Sequence, residues 1–383
     1  MAGFVEKCLK VVATSWLRRV APTPGPRPAE SDLQRISRIL VVRLDDRIGN
    51  AVLATPLLVA LKGRFSRAHL TCLLARRHWD LRKFIPSADE FIPFDRAALA
   101  KNPLGIRSLI RQLRAMKFDL VFDAADDRSV SFNHLIVTAL SGGRFRVGHA
   151  RGEAARFYEV PVPVPAAPRH AAQMHLDLLR AVTSFRSTPR PLLKPPKDDT
   201  GYGDRFLSRV RANPALPLVL IHPGGRGPKR WSAAEFAAVA RLLRESRRVE
   251  TAMVWGPSDE DAAREVLKTA GDSIHPAGIL SFDDLIALIR RAVVFLSGDC
   301  GPMHLASAMG TPVVAIFLVS DADKYRPLGP KDILLDGRTR AITPDDVAGA
   351  LWQTIDHFQR AGSPRAGGVM PVPSPLPQGE GDR

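Results

Sequence analysis

No apolar run in this 383-residue sequence approaches the roughly 20 residues that a membrane-spanning helix needs, so the body of the chain is not expected to cross a bilayer. Its three cysteines, Cys8, Cys72 and Cys300, are widely spaced and form no CxxC pair. An odd, scattered set excludes a disulfide framework and a zinc finger and fits a reducing compartment. No secretory signal is expected, because Glu6, Lys7 and Lys10 interrupt the apolar core that one would need. Neither a Walker A pattern nor GxGxxG occurs, which argues against an NTPase or a dehydrogenase. No cluster of metal-ligand residues is apparent, so no metal is expected. The expected compartment is the cytoplasm.

Hydrophobic residues make up 45% of the chain and charged residues 25%, an ordinary balance for a globular protein. The length is too great for one hydrophobic core and suits two. The net charge of +16 is unevenly spread: residues 39–190 hold 24 Lys and Arg against 13 Asp and Glu, residues 191–360 hold 22 against 21. A nucleotide site needs only two or three cations, so this excess points to a larger anionic partner, either a phosphorylated glycolipid, a membrane surface or a nucleic acid. A solvated basic surface is the plain alternative. Nucleic acid is not expected, since no recognition motif and no aromatics interleaved with the cations accompany the charge.

Along the chain, Phe4, Val5, Cys8, Leu9, Val12 and Trp16 fall on one face of a helix over residues 4–19. That helix lies on anionic lipid or docks on the protein itself. The Pro-rich stretch 22–28 reads as a linker. From Ile39 strands and helices alternate: strands at 39–44, 69–75, 90–94 and 119–124, and helices at 50–62, 106–116 and 134–140. After a break at 189–199, strands recur at 218–223, 251–256, 293–299 and 312–317. Ser232 with Glu235, and Thr343 with Asp346, mark helix starts. Such alternation builds parallel sheets covered by helices on both faces. The expected organisation is an N-terminal segment 1–37, a Rossmann-like domain 38–188, a linker 189–201, a second Rossmann-like domain 202–361 and a disordered tail 362–383.

The most informative stretch is SGDCGPMHLASAMGTP at 297–312, which leaves a buried strand, turns on glycine and enters a helix. Amides at Cys300, Gly301 and the first helical turn, with the helix dipole, make a pyrophosphate site. Pro302 suits the first turn, and His304 offers a further donor. The plain alternative is a helix start with a satisfied histidine. A second segment, HPGGRGPKRWSAAEF at 222–236, leaves another strand through a glycine loop carrying Lys229 and Arg230. Cations on one loop and helix amides on another are what a departing nucleoside diphosphate requires as it gains charge. A third loop, WGPSDED at 255–261, brings acids that bond ribose hydroxyls or are merely solvated.

These blocks, taken in order as ILVVRL, IGN, TPLL, HPGG, KRW, WGPSDE, LSFDDLIALI and SGDCGPMHLASAMGTPVVAIF, resemble the ADP-heptose:lipopolysaccharide heptosyltransferases, glycosyltransferase family nine. The resemblance covers roughly residues 38–355. It implies a GT-B fold of two Rossmann-like, doubly wound α/β domains facing a cleft, with inverting, metal-independent transfer. The first domain would bind the acceptor and the second the donor nucleotide. By motif position, Lys229 meets donor phosphate and Asp299 the donor sugar. Cys300, Gly301 and His304 meet the diphosphate, with Pro302 and Met303 in the same turn. Asp259 or Glu260 meets ribose, and His222, Gly224, Gly225 and Arg230 complete the nucleotide side. Cys300 stands where the family usually has Ser or Thr.

The first loop departs further. The family pattern resembles R-x4-G-D, its Asp taking a proton from the acceptor hydroxyl, whereas this chain has Arg43-Leu44-Asp45-Asp46-Arg47-Ile48-Gly49-Asn50. An amide is no general base. Either Asp45 or Asp46 takes the role, or Asn50 only positions the acceptor while another group accepts the proton, or the chain binds nucleotide sugar or glycolipid without catalysis. Asp123, Asp126, Asp127 and Arg128 follow a strand end and line the acceptor site or are solvated, and Arg144, Arg146, His149, Arg151 and Arg156 form a basic stretch suited to phosphate or carboxylate. The implied partners are a nucleotide sugar, with ADP-heptose first, and an anionic glycolipid. The expected state is a monomer, peripheral at the inner face of the cytoplasmic membrane and needing no separate cofactor.

Overall fold

The structure, a computed structural model, describes residues 15, 17, 19–102, 104–126, 131–195, 200–210 and 216–360. The chain forms two compact units that divide between Pro189 and Arg190.

The first unit is built on a six-stranded parallel sheet of β1 (Arg38–Arg43), β2 (His69–Ala75), β3 (Glu90–Phe94), β4 (Leu120–Asp123), β5 (Phe145–His149) and β6 (Val160–Val162), ordered β3-β2-β1-β4-β5-β6. Its central strands read as near-continuous apolar runs because helices cover both faces. Val41 and Val42 on β1 and Val121 and Phe122 on β4 are fully buried. The helix expected over 50–62 is two helices, Ile48–Leu53 and Thr55–Arg64. Pro56 cannot donate within a helix interior, and the break at Ala54 puts it in a first turn, where no donor is needed. Of the amphipathic segment expected over 4–19, Leu17 is fully buried in this unit's core beside Leu40, Ala139 and Tyr158, and residues 1–14, 16 and 18 lie outside the described residues. The stretch read as a linker is tied down: Arg146 donates to the Pro22 carbonyl, and the Gly25 amide donates to Glu159.

The second unit repeats the order. Its strands are β7 (Leu218–His222), β8 (Glu250–Val254), β9 (His275–Gly278), β10 (Ala292–Gly298), β11 (Val313–Phe317) and β12 (Ile333–Asp336), all parallel and arranged β12-β11-β10-β7-β8-β9. Both expected helix starts form: Ser232 Oγ accepts from the Glu235 amide, and Thr343 Oγ1 accepts from the Asp346 amide, each at 3.2 Å. The tail expected to be disordered, 362–383, lies outside the described residues.

Candidate active site

In the second unit β7 and β10 are neighbours, with His222 in register with Ser297. Chain connections leave this pair toward opposite sides of the sheet, and ligands of open α/β sheets bind where the carboxyl ends part in this way. Three glycines let the loops close over that point. A Cβ on Gly224 would meet His222 Cε1 at 2.1 Å, one on Gly225 would meet the Arg230 Cα at 3.0 Å, and one on Gly298 would meet the Gly224 carbonyl at 3.3 Å. Trp231 anchors the loop's far end: its ring is buried, its Nε1 donates to the Ile342 carbonyl at 3.3 Å and it meets the Phe236 ring edge-on at 5.0 Å. With the loop pinned at both ends, the two preceding cations stay half-exposed at the strand tips.

Each cation is met by a carboxylate. Lys229 Nζ donates to Asp299 Oδ2 at 2.5 Å, and Arg230 Nη2 donates to Asp259 Oδ1 at 3.2 Å while its Nε donates to the Gly225 carbonyl at 2.9 Å. From β10 the chain passes Asp299 and Cys300 into the Gly301–Met309 helix, with Cys300 extended as N-cap and Pro302 in the first turn. A first helical turn leaves amide donors without intrahelical acceptors, and its end carries partial positive charge. Two positive side chains and a helix start therefore meet at one pair of strand ends, an arrangement fit for a diphosphate.

The other residues read from this region divide by environment. His222 is only 4% exposed, and burial holds its imidazole down to about 4. It is therefore neutral, and its Nδ1 accepts from the Gly224 amide at 3.1 Å. The ring shapes the glycine loop and brings no charge to an anion. Cys300 Sγ lies 3.0 Å from Ser297 Oγ and 3.6 Å from His222 Nδ1. Burial pushes the thiol up to about 12, so it stays protonated, a weak donor where a hydroxyl would be stronger. Met303 is fully buried and His304 is buried beside it in the chain. Glu260 is spoken for by its own helix, where Arg264 donates to it at 2.7 Å. Of the two acids proposed for ribose, only Asp259 faces the glycine loop, lying within 3.0 Å of where a Gly224 Cβ would stand.

The matching point of the first unit lies between β1 and β4, and its chemistry differs. Arg43 is 3% exposed; its Nη1 donates to the Ala124 carbonyl and lies 3.0 Å from Asp45 Oδ2. His134 Nε2 accepts from the Leu44 amide at 2.9 Å, and its Nδ1 lies 2.7 Å from Ser131 Oγ. Burial lowers His134 below its usual range. The 3.8 Å approach of Asp45 to Nε2 is therefore no ion pair, because that nitrogen has no proton to give. Among the described residues Asp45 keeps one charged neighbour, Arg43. Asp46 is more exposed, and Arg96 donates to it at 3.1 Å while Arg77 lies at 3.9 Å. Asn50 sits in the first turn of Ile48–Leu53, and its side chain makes no hydrogen bond among the described residues.

The basic stretch expected to face an acceptor is largely structural. Arg146 lies on β5, 2% exposed, and is clamped by Glu159 at 2.6 Å. His149 Nε2 lies 3.1 Å from the Met174 carbonyl, Arg144 pairs with Asp32, and Arg151 donates to the Asp126 carbonyl. Arg144 and Arg156 are mainly solvent-facing, the latter beside Glu153. Asp123 is buried too, accepting from Tyr158 Oη at 2.6 Å. Asp127 and Arg128 lie outside the described residues. Sequence reasoning missed His134, in the helix that follows β4, and Ser320, whose hydroxyl reaches Asp299 from the loop after β11. Among the described residues no group of three or more His, Cys, Asp or Glu is arranged to hold a metal ion.

The family model described as Glycosyltransferase family 9 (heptosyltransferase) matches residues 106–349. The chain belongs to that family. This glycosyltransferase is 25% identical over 299 residues to lipopolysaccharide heptosyltransferase 3 of Escherichia coli, spanning 73% of this chain and 83% of the relative. Among solved structures, the glycosyl transferase family 9 protein of Veillonella parvula superposes with a TM-score of 0.75 at 21% identity, covering 84% of this chain and 97% of that one. The E. coli ADP-heptose lps heptosyltransferase II gives 0.67 at 19% identity, covering 84% and 99%. The fold is thus of the GT-B heptosyltransferase type.

Proposed function

We propose that this enzyme transfers heptose from ADP-heptose to an anionic glycolipid of the lipopolysaccharide-core kind, with inversion and without a metal, at the inner face of the cytoplasmic membrane. The observation that carries the reading is the meeting of Lys229, Arg230 and the helix start at Gly301 on the adjoining ends of β7 and β10. The names of the relatives supply the sugar and the acceptor class. The positive excess of residues 39–190 suits a phosphorylated acceptor, and a salt-screened attraction would raise its local concentration.

In the reaction an acceptor hydroxyl attacks the anomeric carbon from the face opposite the diphosphate. The new C–O bond forms as the bond to the β-phosphate oxygen breaks, and ADP departs with that electron pair. Lys229, Arg230 and the first-turn amides stabilise the charge it gains, the work that fixed donors do best where water is excluded. Asp299 orients the sugar. Asp45 accepts the hydroxyl proton: of the two loop carboxylates it has a single cationic neighbour among the described residues and an orienting frame, whereas Asp46 is held between two arginines. Asn50 positions the acceptor.

The test is incubation of the purified protein with ADP-heptose and a heptose-less core glycolipid in excess EDTA. The expected result is ADP release with a product of opposite anomeric configuration. Binding of ADP-heptose with neither transfer nor hydrolysis would mark the chain as a silent binding protein instead.

A further inference from the structure

Ser320, which bonds to Asp299, lies in a loop that no motif singled out. β7, β10 and β11 are consecutive in the sheet, and each contributes one side chain beyond its carboxyl end: Lys229, Asp299 and Ser320. Lys229 Nζ and Ser320 Oγ both donate to the same oxygen, Asp299 Oδ2, each at 2.5 Å. The other oxygen, Oδ1, carries no hydrogen bond among the described residues. Ser320 is 6% exposed although its neighbour Val319 is 53% exposed. The turn that points it inward is set by Asp321, which accepts from the Lys324 amide at 3.2 Å and caps Ala322–Tyr325.

We propose that Ser320 is a positioning residue for donor recognition, holding Asp299 so that Oδ1 alone accepts from a hydroxyl of the transferred sugar. The inference rests on the nucleotide-sugar reading above. The terminal torsion of an aspartate is broad and two-fold, and Lys229 is a long, rotatable stem that a diphosphate draws toward itself. A lysine contact alone therefore leaves the carboxylate free to swing when the donor arrives. A serine hydroxyl is short, buried and fixed to a capped turn. A hydrogen bond to a charged acceptor is among the stronger ones, and this one persists when Lys229 turns to phosphate. The arrangement acts on the sugar and not on ADP.

Calorimetric titration of the full-length protein with ADP and with ADP-heptose separates the two. For Ser320→Ala the preference for ADP-heptose over ADP should fall by about tenfold, the worth of one such hydrogen bond, while ADP affinity changes by less than about threefold. Ser320→Thr, which keeps the hydroxyl, should restore the preference, and melting curves of both variants identify any loss of fold. An unchanged preference in Ser320→Ala, or an equal loss of affinity for both ligands, overturns the inference; so does a wild-type protein that binds ADP and ADP-heptose equally. Failure of the wild-type protein to bind ADP at all overturns the nucleotide reading itself, and this inference with it.

Discussion

The two units share one strand order and put different chemistry at the same topological point. Between β7 and β10 the loops are rich in glycine, the cations are half-exposed and a helix begins at the strand tip. Between β1 and β4 the corresponding arginine is 3% exposed, the histidine beside it is neutral and the loop carboxylates are partly exposed. The sheet provides an opening in both units; side-chain exposure decides what each opening can do. Half-exposed cations with backbone amides suit an anion that comes and goes, whereas a buried arginine beneath a partly exposed carboxylate suits a group that is oriented once and then takes a proton.

The sharpest way to break this comparison is to remove the charge from the anion side. Lys229→Ala should lower kcat/KM by about 10²–10³, the range for losing one donor to developing charge, as measured by steady-state ADP release; a loss under tenfold would mean that the amides and Arg230 suffice. On the other side, Asp45→Asn should cost about 10² in kcat, within the range for general-base loss, with Asp46→Asn changing it less than threefold. The reverse order would move the base to Asp46, and full activity in both variants, together with a large gain in Asn50→Asp, would remove the loop carboxylates altogether.

A third prediction concerns stability. His222 titrates near 4 when folded against 6.5 unfolded, so its contribution is complete above pH 6.5 and is lost as pH falls toward 4. The sign follows because protons bind the unfolded chain first. Across that window wild-type protein should lose about 3 kcal/mol through this residue. Urea titrations at stepped pH should show a smaller loss for His222→Asn, whose amide oxygen can still accept from Gly224. His78 in the first unit, also held near 4 by burial, leaves part of the acid sensitivity in place. The smallest effect is expected at Glu260: its exposed pair with Arg264 is of a kind worth little, and Glu260→Gln should leave donor KM within about twofold.

Much of the donor side was legible because its signals are local. A strand, a glycine turn and a proline-started helix sit within sixteen residues, and Lys229-Arg230-Trp231 follow a glycine loop in one run. Strands such as β1, β4, β7 and β10 announce themselves as apolar runs for the same reason. What escaped depends on partners distant in sequence. Phe145–His149 reads as a basic stretch, yet Arg146 is neutralised by Glu159 inside the fold. The neighbouring β6 and the edge strand β9 carry a proline, and β9 and β12 are only partly buried, so no fully buried apolar run marks them. Ser320 is one serine in a polar loop until β11 lies beside β10 and brings it to Asp299. A helix continued through Pro56 failed on backbone chemistry that the sequence did contain.

The central claim is that the β7–β10 end grips a diphosphate, and comparing ADP with AMP by calorimetry tests it most directly. The account predicts that ADP binds at least about tenfold tighter than AMP, the worth of one charge-assisted contact to the second phosphate, and that Lys229→Ala erases the difference. Equal affinities for ADP and AMP, or an ADP advantage that survives in Lys229→Ala, would contradict it.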